Sequence, residues 1–351
     1  MTKMLKMQLD VLVYDIDGVL IDVTESYRHA IRLTVQLYLE AALGLAPFEG
    51  ELVSPEDVAA FKMAGGFNND WDLTTGLLYY FASLVDAIGV VELHKNSAEV
   101  LAYLRWQGAA IHTNVADLYA RKNIGSFARQ LRNAGGGLQV AKHLLSSRNA
   151  HLVFAEGDPR GMNLVKRIFE EVYLGSEFFT QEYGQAPSVF IGPGLIRRER
   201  PIAGASALDA VGTRAALGIA TGRPRNQAIY ALETTGMRKR FRSLVTHEDV
   251  VAAEEKQFGQ TGRWVNLSKP HPYTLLEAVR RITPGRVRCA YIGDTLDDIQ
   301  AANAAKKKMD FISIGCLAPA ADKEGMREEF ERTGADVVVE HPDDLVQLLN
   351  E

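Results

Sequence analysis

Residues 13–22 read VYDIDGVLID, and this stretch decides the fold. The apolar run of residues 11–14 ends at Asp15, which is typical of a buried central strand. Asp17 and Gly18 follow at once, so two carboxylates stand one residue apart where the strand leaves the core. Near carboxylates repel each other unless a cation or a proton lies between them, and Mg²⁺ takes such oxygen ligands. A solvated turn at a strand end is the alternative for this segment taken alone.

The C-terminal part of the chain alternates short β-rich runs with helical stretches. Strands are predicted at 216–220, 243–246, 287–292, 311–314 and 336–339. Helices are predicted at 226–235, 272–281, 297–307 and 322–332. This alternation favours an α/β fold, a Rossmann-like parallel sheet with helices on both faces, and the strand ending at Asp15 is expected to join that sheet.

The middle of the chain has a different pattern, which is mostly helical. Helices are predicted at 25–43, 73–88, 98–106, 116–134 and 164–174. We therefore expect a large α-helical domain to be inserted after the first strand of the α/β domain. The predicted boundaries are a discontinuous core of residues 1–22 and 203–351, and a helical cap of residues 23–202.

Composition narrows the class of protein. The 351 residues carry a formal net charge of −5, so no basic field favours nucleic acid or an anionic membrane surface. Two cysteines among 351 residues argue against a disulfide scaffold and favour a reducing compartment. No apolar run is long enough for a signal peptide or a membrane span. A cytoplasmic protein is expected, and the sequence does not specify an oligomeric state.

Three further segments carry polar residues at predicted strand or helix ends. Thr221-Gly222-Arg223 follows one strand, Lys269 precedes Pro270 at a helix start, and Asp294 to Asp298 follow another strand. Each has an ordinary explanation alone, as a turn residue, a surface charge or a helix cap. Because ligands of open parallel sheets bind at the carboxyl ends of strands, the segments together predict one site. Carboxylates, a hydroxyl and an ammonium suit phosphoryl transfer.

The four blocks resemble the motifs of the haloacid dehalogenase-like superfamily of phosphatases. They are DxDGV, TGR, KPxP and GDxxxD, in that order along the chain. The first block, DIDGVLID, resembles the branch that contains phosphoglycolate phosphatases and β-phosphoglucomutases. The resemblance implies an Mg²⁺-dependent phosphatase of a small phosphorylated metabolite, with the helical insertion as its cap. The insertion is much longer than the usual small cap, so the resemblance does not indicate the substrate.

The resemblance also implies the catalytic residues. Asp15 would attack phosphorus and form an aspartyl-phosphate, and Asp17 would protonate the leaving oxygen and later accept a proton from water. Thr221 and Lys269 would hold the oxygens of the transferred phosphoryl group, where fixed positive charge is the main catalytic resource.

The metal ligands follow from the same resemblance. Asp294 would bind Mg²⁺ directly, with Asp15 and the backbone carbonyl of Asp17. Asp298, four residues after Asp294, would orient a metal-bound water or Lys269. Asp297 is a weaker candidate, because one residue along a helix turns the side chain by about 100°.

Substrate contacts are expected from two regions. Gly18, Gly222 and Arg223 stand beside the catalytic motifs, and Arg223 is either a contact for a substrate anion or a surface charge. In the cap, Asn68 and Asn69 belong to a polar, glycine-containing loop that suits the recognition of hydroxyl groups. The alternative for this loop is a helix cap ahead of Leu73.

The chain departs from the family pattern in two places that affect the site. Residues 252–268 look like an insertion before Lys269 and are expected to form an exposed excursion, so Lys256 is the fallback lysine. Within the cap, Thr113 with Asn114 and Gly157 with Asp158 imitate two of the motifs. We reject that pair because no Lys-Pro block precedes Asp158.

Two other functions compete with the phosphatase. A phosphomutase of the β-phosphoglucomutase type would use the same residues but shield the aspartyl-phosphate from water. A non-catalytic protein that binds a phosphorylated metabolite would keep the fold without turnover. The complete set of acids in the motifs weighs against this last alternative.

Overall fold

The computed structural model describes residues 8–67, 69–86, 96–145 and 149–349. The chain divides into two compact units, one of residues 1–23 with 199–351 and one of residues 24–198. The divisions predicted from the sequence lie one residue and four residues away from these. We call the first the core unit and the second the helical unit.

The core unit is built on a six-stranded sheet in which every neighbouring pair of strands is parallel. Its order is β5-β4-β1-β6-β7-β8. The strands are β1 (Val11–Tyr14), β4 (Ala216–Ala220), β5 (Ser243–Val245), β6 (Arg288–Gly293), β7 (Asp310–Cys316) and β8 (Val337–Val339). The predicted α/β fold with a parallel sheet is confirmed, and β1 lies in its middle.

A two-stranded antiparallel ladder completes the strands described in the core unit. It joins β2 (Ile21–Asp22) to β3 (Arg200–Pro201), so that Asp22 lies opposite Arg200. The ladder brings the chain just after the first motif next to residues near 200. It therefore determines which side chains from that later segment can reach the first motif.

The helices of the core unit pack around this sheet. They are α9 (Ala205–Gly212), α10 (Arg225–Thr234), α11 (His247–Thr261), α12 (Tyr273–Ile282), α13 (Leu296–Ala305), α14 (Lys323–Thr333) and α15 (Leu345–Leu348). Apolar side chains of β1, β6, α12 and α13 form one buried cluster that includes Val13, Tyr291, Leu275 and Ala302. Strands buried on both faces read as continuous apolar runs, which is why the sequence predicted them well.

The helical unit consists mainly of α-helices. They are α1 (Tyr27–Leu37), α2 (Pro55–Met63), α3 (Asp70–Ser83), α4 (Ser97–Ala109), α5 (Val115–Arg121), α6 (Ile124–Asn133), α7 (Gly137–Leu145) and α8 (Leu164–Tyr183). A π-helical turn, Tyr38–Ala42, continues α1. None of the helices described in either unit is both long enough and apolar enough to cross a membrane.

One prediction of local structure was wrong, and another needs more detail. The single helix expected at 116–134 is two helices, because the side chain of Asn123 caps a new helix by accepting a hydrogen bond from the backbone N of Ser126 at 3.3 Å. The segment 252–268 is largely exposed, as expected, and its first part is helical because it begins inside α11, which runs on to Thr261 and ends at Gly262 in the left-handed conformation.

Candidate active site

The motif residues lie at the carboxyl ends of three adjacent strands. Tyr14, at the end of β1, pairs with Ile219 of β4 on one side and with Ile292 of β6 on the other. The three strands end at nearly the same level. Asp15 follows β1, Thr221 follows β4 and Asp294 follows β6, so the three residues lie at one edge of the sheet. This is the edge at which the sequence predicted a site.

Lys269 is the centre of the hydrogen bonds at this edge. Its ammonium donates to Oδ2 of Asp15 at 2.9 Å and to Oδ1 of Asp298 at 2.7 Å. It also donates to the hydroxyl oxygen of Tyr291 at 2.9 Å. The lysine side chain is 16% exposed, while those of Asp15 and Asp298 are 8% and 0% exposed. Lys269 therefore bridges two buried carboxylates that lie far apart in the sequence.

The start of α13 fixes Asp298. Thr295 caps this helix and exchanges hydrogen bonds with Asp298. The Thr295 hydroxyl accepts from the backbone N of Asp298 at 3.3 Å. Oδ2 of Asp298 accepts from the backbone N and the hydroxyl of Thr295 at 3.0 and 2.7 Å. Oδ1 remains for Lys269 and Tyr291, whose hydroxyl lies 3.0 Å from it. Asp298 thus positions the lysine, which is one of the two roles expected for it.

Burial and charge act in opposite directions on these groups. Burial raises the pKa of Asp15 to about 7, although Lys269 lowers it and the neighbouring carboxylates raise it further. Burial also acts to raise the pKa of Asp298, but Lys269 and the hydrogen bonds from Thr295 outweigh it, so this pKa is lowered. Burial acts to lower the pKa of Lys269, yet the two carboxylates hold it well above its usual range. The lysine is therefore a fixed positive charge.

Three carboxylates at this edge are placed to share a cation. Asp15, Asp294 and Asp298 each offer one oxygen, and these three oxygens lie within 4.8 Å of one another. Oxygen donors of this kind match a hard divalent ion. When ionised, the three carboxylates exceed the single charge of Lys269 by two, which is the charge that a divalent ion carries. By donor type and by charge, these residues fit Mg²⁺.

Gly18 is required where it stands. Its φ is +74°, and a Cβ at this position would lie 2.3 Å from Oδ2 of Asp294. A side chain here would combine backbone strain with a collision against a carboxylate. Gly18 therefore lets the loop after β1 pass directly beside Asp294, and its assignment to substrate binding stays a prediction.

Asp17 faces a different partner from Asp15. Its Oδ1 accepts from Nε of Arg223 at 2.6 Å, and Arg223 also donates to both carboxylate oxygens of Glu199, at 3.0 and 2.9 Å. The Arg223 side chain is 1% exposed. Arg223 is thus bound to carboxylates of the protein itself, so the alternative of a surface charge is wrong, and its contact with a substrate anion stays a prediction.

The remaining motif residues are placed as follows. Thr221 is buried at the end of β4, and its hydroxyl accepts from the backbone N of Arg223 at 3.2 Å. Gly222 is exposed, and a Cβ there would meet no atom within 4 Å. Asp297, the weaker candidate, is half-buried, and burial together with Asp298 raises its pKa to about 6.

In the helical unit, Asn69 has a structural role. It caps α3 by accepting from the backbone N of Asp72 at 2.8 Å, which matches the alternative of a helix cap. Trp71 donates to Glu170 at 2.9 Å within the same unit. Asn68 lies outside the described residues. The assignment of Asn68 and Asn69 to substrate binding stays a prediction.

The residues that the sequence offered as alternatives to the motif residues have other surroundings. Lys256 is exposed on α11, whereas Lys269 bonds to Asp15. Thr113 bonds to Asp86, and Asp158 accepts from the backbone N of Arg160, all within the helical unit. The imitation motifs are therefore accounted for by local hydrogen bonds.

Sequence reasoning missed two residues of this cluster. Tyr291 bonds to Lys269 and Asp298, and Glu199 bonds to Arg223. A tyrosine in a strand buried on both faces needs a partner for its hydroxyl, so the position of Tyr291 two residues before Gly293 was a usable signal. Nothing in the sequence around Glu199 indicates its partner, because the partner depends on the β2–β3 ladder.

Comparison with known proteins identifies the family to which this chain belongs. A family model described as haloacid dehalogenase-like hydrolase matches residues 9–306. The phosphatase Tt82 from Thermococcus thioreducens has a similar structure, with a TM-score of 0.51 and 24% identity over 92% of this chain and 99% of that one. At that identity the likeness supports the fold alone.

Two curated relatives match over part of their length. An N-acetylmuramic acid 6-phosphate phosphatase of Pseudomonas aeruginosa is 29% identical over 153 residues, which cover 43% of this chain and 58% of the relative. An imidazoleglycerol-phosphate dehydratase of Phytophthora nicotianae is 23% identical over 336 residues, or 93% of this chain and 49% of the relative. The chain thus spans about half the length of the curated relatives it matches.

Proposed function

The chain belongs to the haloacid dehalogenase-like hydrolases, and from this premise we propose that it is an Mg²⁺-dependent phosphatase of a small phosphorylated metabolite. One observation carries the proposal. Lys269 bridges Asp15 and Asp298, and Asp294 offers a third carboxylate within 4.8 Å of the other two. That arrangement supports a nucleophile, a fixed cation and a metal site at one sheet edge. The phosphatase from Pseudomonas aeruginosa among the relatives supports the same reaction class.

In the first step, a carboxylate oxygen of Asp15 attacks phosphorus. The bond from phosphorus to the ester oxygen breaks, and its electron pair stays on the leaving oxygen, which takes a proton from Asp17. The products are a free alcohol and an aspartyl-phosphate on Asp15. Dividing hydrolysis into two displacements is the usual benefit of a carboxylate nucleophile.

In the second step, water attacks the phosphorus of the aspartyl-phosphate. Asp17, now a carboxylate, accepts a proton from that water, and the bond from phosphorus to the Asp15 oxygen breaks. Inorganic phosphate leaves and the Asp15 carboxylate is restored. Asp17 therefore begins and ends the cycle protonated, so the two steps balance without a further reactant.

The other residues of the cluster stabilise charge. Lys269 would bind an oxygen of the transferred phosphoryl group, and Thr221 would donate its hydroxyl to another. Asp15, Asp294 and the backbone carbonyl of Asp17 would hold Mg²⁺, which supplies positive charge next to the phosphoryl oxygens when it is bound. Asp298 keeps Lys269 in place.

The experiment is a phosphate-release assay over sugar phosphates, phosphoglycolate, nucleotides and amino-alcohol phosphates. Wild-type protein should release phosphate with Mg²⁺ and stop when the metal is chelated. Asp15→Asn should lose more than about 10³-fold in kcat/KM, because the amide is not a nucleophile of comparable strength. Asp158→Asn, in the imitation motif, is the matched control and should keep wild-type rates.

The same assay separates the competing functions. Wild-type protein that releases no phosphate from any ester, with or without Mg²⁺, would contradict the proposal and favour a binding protein. Transfer of the phosphoryl group to a second sugar position without release of phosphate would favour a mutase. An active Asp15→Asn variant would contradict the assignment of the nucleophile.

A further inference from the structure

Buried Arg223 and Glu199 form a cluster with the partly exposed Asp17 beside the carboxylates described above. Arg223 donates through Nε to Oδ1 of Asp17 at 2.6 Å, and its Nη2 lies 2.5 Å from the same oxygen. Its two terminal nitrogens donate to the two oxygens of Glu199 at 3.0 and 2.9 Å. The side chains of Arg223 and Glu199 are 1% and 4% exposed. Arg223 therefore joins two carboxylates that lie 182 positions apart in the sequence.

The fold holds every member of this cluster. Antiparallel pairing of β2 with β3 places Asp22 opposite Arg200, so Glu199 lies next to the segment that follows the first motif. The backbone of Arg223 is bonded on both sides, to the hydroxyl of Thr221 through its N and to the backbone N of His247 through its O. A guanidinium is planar and rigid, so fixing its far end on Glu199 also fixes the direction of Nε.

Charge and geometry argue against a substrate contact for Arg223. Glu199 alone matches the single positive charge of Arg223, so the cluster has no net positive charge with which to attract an anion. Both Arg223 contacts with Asp17 fall on Oδ1, and within the described part of the chain no hydrogen bond reaches Oδ2. One oxygen of Asp17 is thus held, and the other is available for proton transfer.

We propose that Arg223, held in place by Glu199, is a positioning residue that fixes the Asp17 carboxylate so that Oδ2 exchanges the proton with the leaving oxygen. This inference rests on the proposed phosphatase function and on the role of Asp17 within it. Neither Arg223 nor Glu199 touches the reacting atoms in this account. Their effect is expected only in steps that need proton transfer, since a misdirected acid leaves the attack by Asp15 intact.

The test uses two esters that differ in their need for an acid. Phenyl phosphate releases phenolate, a poor leaving group that needs a proton. The leaving group of 2,4-dinitrophenyl phosphate, dinitrophenolate, departs readily as an anion. General acid catalysis contributes about 10²- to 10⁴-fold, and mispositioning should remove part of it. Glu199→Gln should lower kcat/KM for phenyl phosphate by about 10- to 100-fold and for the dinitrophenyl ester by less than about 3-fold.

A double variant distinguishes positioning from a general structural role. In an Asp17→Asn background, Glu199→Gln should change kcat/KM for phenyl phosphate by less than about 2-fold, because its effect passes through Asp17. The control is Asp209→Asn, which breaks another bidentate ion pair, the one between Asp209 and Arg240. It should not change the ratio of the two rates. If Glu199→Gln does not fold, Glu199→Asp keeps the charge and serves for the same comparison.

The outcomes separate the two claims. Equal losses on both esters, or losses that multiply in the double variant, would overturn the positioning role while the wild-type enzyme remains an active phosphatase. Wild-type protein that hydrolyses neither these esters nor any member of the metabolite panel would overturn the proposed function, and this inference with it.

Discussion

Lys269→Met is the substitution whose consequences the structure defines most fully. It removes the ammonium that bonds to Asp15 at 2.9 Å and to Asp298 at 2.7 Å, and it leaves the length of the side chain nearly unchanged. Removing one partner of a buried ion pair costs about 3–5 kcal/mol, because the remaining charges stay buried without compensation. Bonds from Thr295 still satisfy one oxygen of Asp298, so we expect the loss of unfolding free energy at the lower end.

The effect on catalysis is separate from the effect on stability. A preorganised donor to a developing oxyanion contributes about 2.7–4 kcal/mol, or roughly 10²- to 10³-fold in rate. We therefore expect Lys269→Met to lose about that factor in kcat/KM. The measurement is phosphate release at saturating Mg²⁺ and at a temperature where urea denaturation shows the variant to be folded.

Lys256→Met is the matched control, because that lysine is exposed on α11 and was the fallback candidate. It should keep both the unfolding free energy and kcat/KM of the wild-type protein. A folded Lys269→Met variant within about 3-fold of wild-type activity would refute the reasoning, since the cost of one lost donor is expected to be about 10²-fold or more. A loss in Lys256→Met instead would transfer the role to that residue.

The remaining predictions concern the loop after β1 and the metal site. Gly18→Ala should lower kcat/KM by at least about 10²-fold, because it adds a Cβ 2.3 Å from a carboxylate oxygen of Asp294 to the strain of a positive φ. Gly236→Ala has a similar φ of +71° with no atom within 4 Å of the new Cβ, so it should cost only about 1–2 kcal/mol of stability in thermal unfolding and leave kcat/KM unchanged. Asp294→Asn should raise the Mg²⁺ concentration for half-maximal activity by about 10-fold or more, because it removes one charged ligand. Asp297→Asn should leave that concentration unchanged in the same titration, and the reverse order of these two variants would identify Asp297 as the ligand.

The sequence predicted the sheet well because its strands are short apolar runs bounded by polar residues. β4, Ala216–Ala220, occurs at its predicted bounds, and the other strands of the sheet differ by one or two residues at an end. Helix ends were harder, because a cap depends on one side chain. Asn123 stops a helical pattern that continues on both sides of it, and only its hydrogen bond to Ser126 shows the break.

The cluster of carboxylates around Lys269 could be predicted because each member is tied to a strand or helix end. Asp15, Lys269 and Asp298 come together as expected, since parallel strands bring their carboxyl ends to one edge. The carboxylate partners of Arg223 could not be predicted, because its position after Thr221 does not show which side chains surround it. Glu199 was missed because its place depends on the pairing of two two-residue strands, for which the sequence has no periodic signal.

The central claim is that Asp15 becomes phosphorylated during turnover. The most direct measurement is to quench the enzyme during steady-state hydrolysis, reduce the acyl phosphate with borohydride, and identify the modified peptide by mass spectrometry. We expect homoserine in place of aspartate at position 15, and only when substrate and Mg²⁺ are present. Active enzyme in which position 15 stays aspartate, while another residue or none carries the modification, would contradict it.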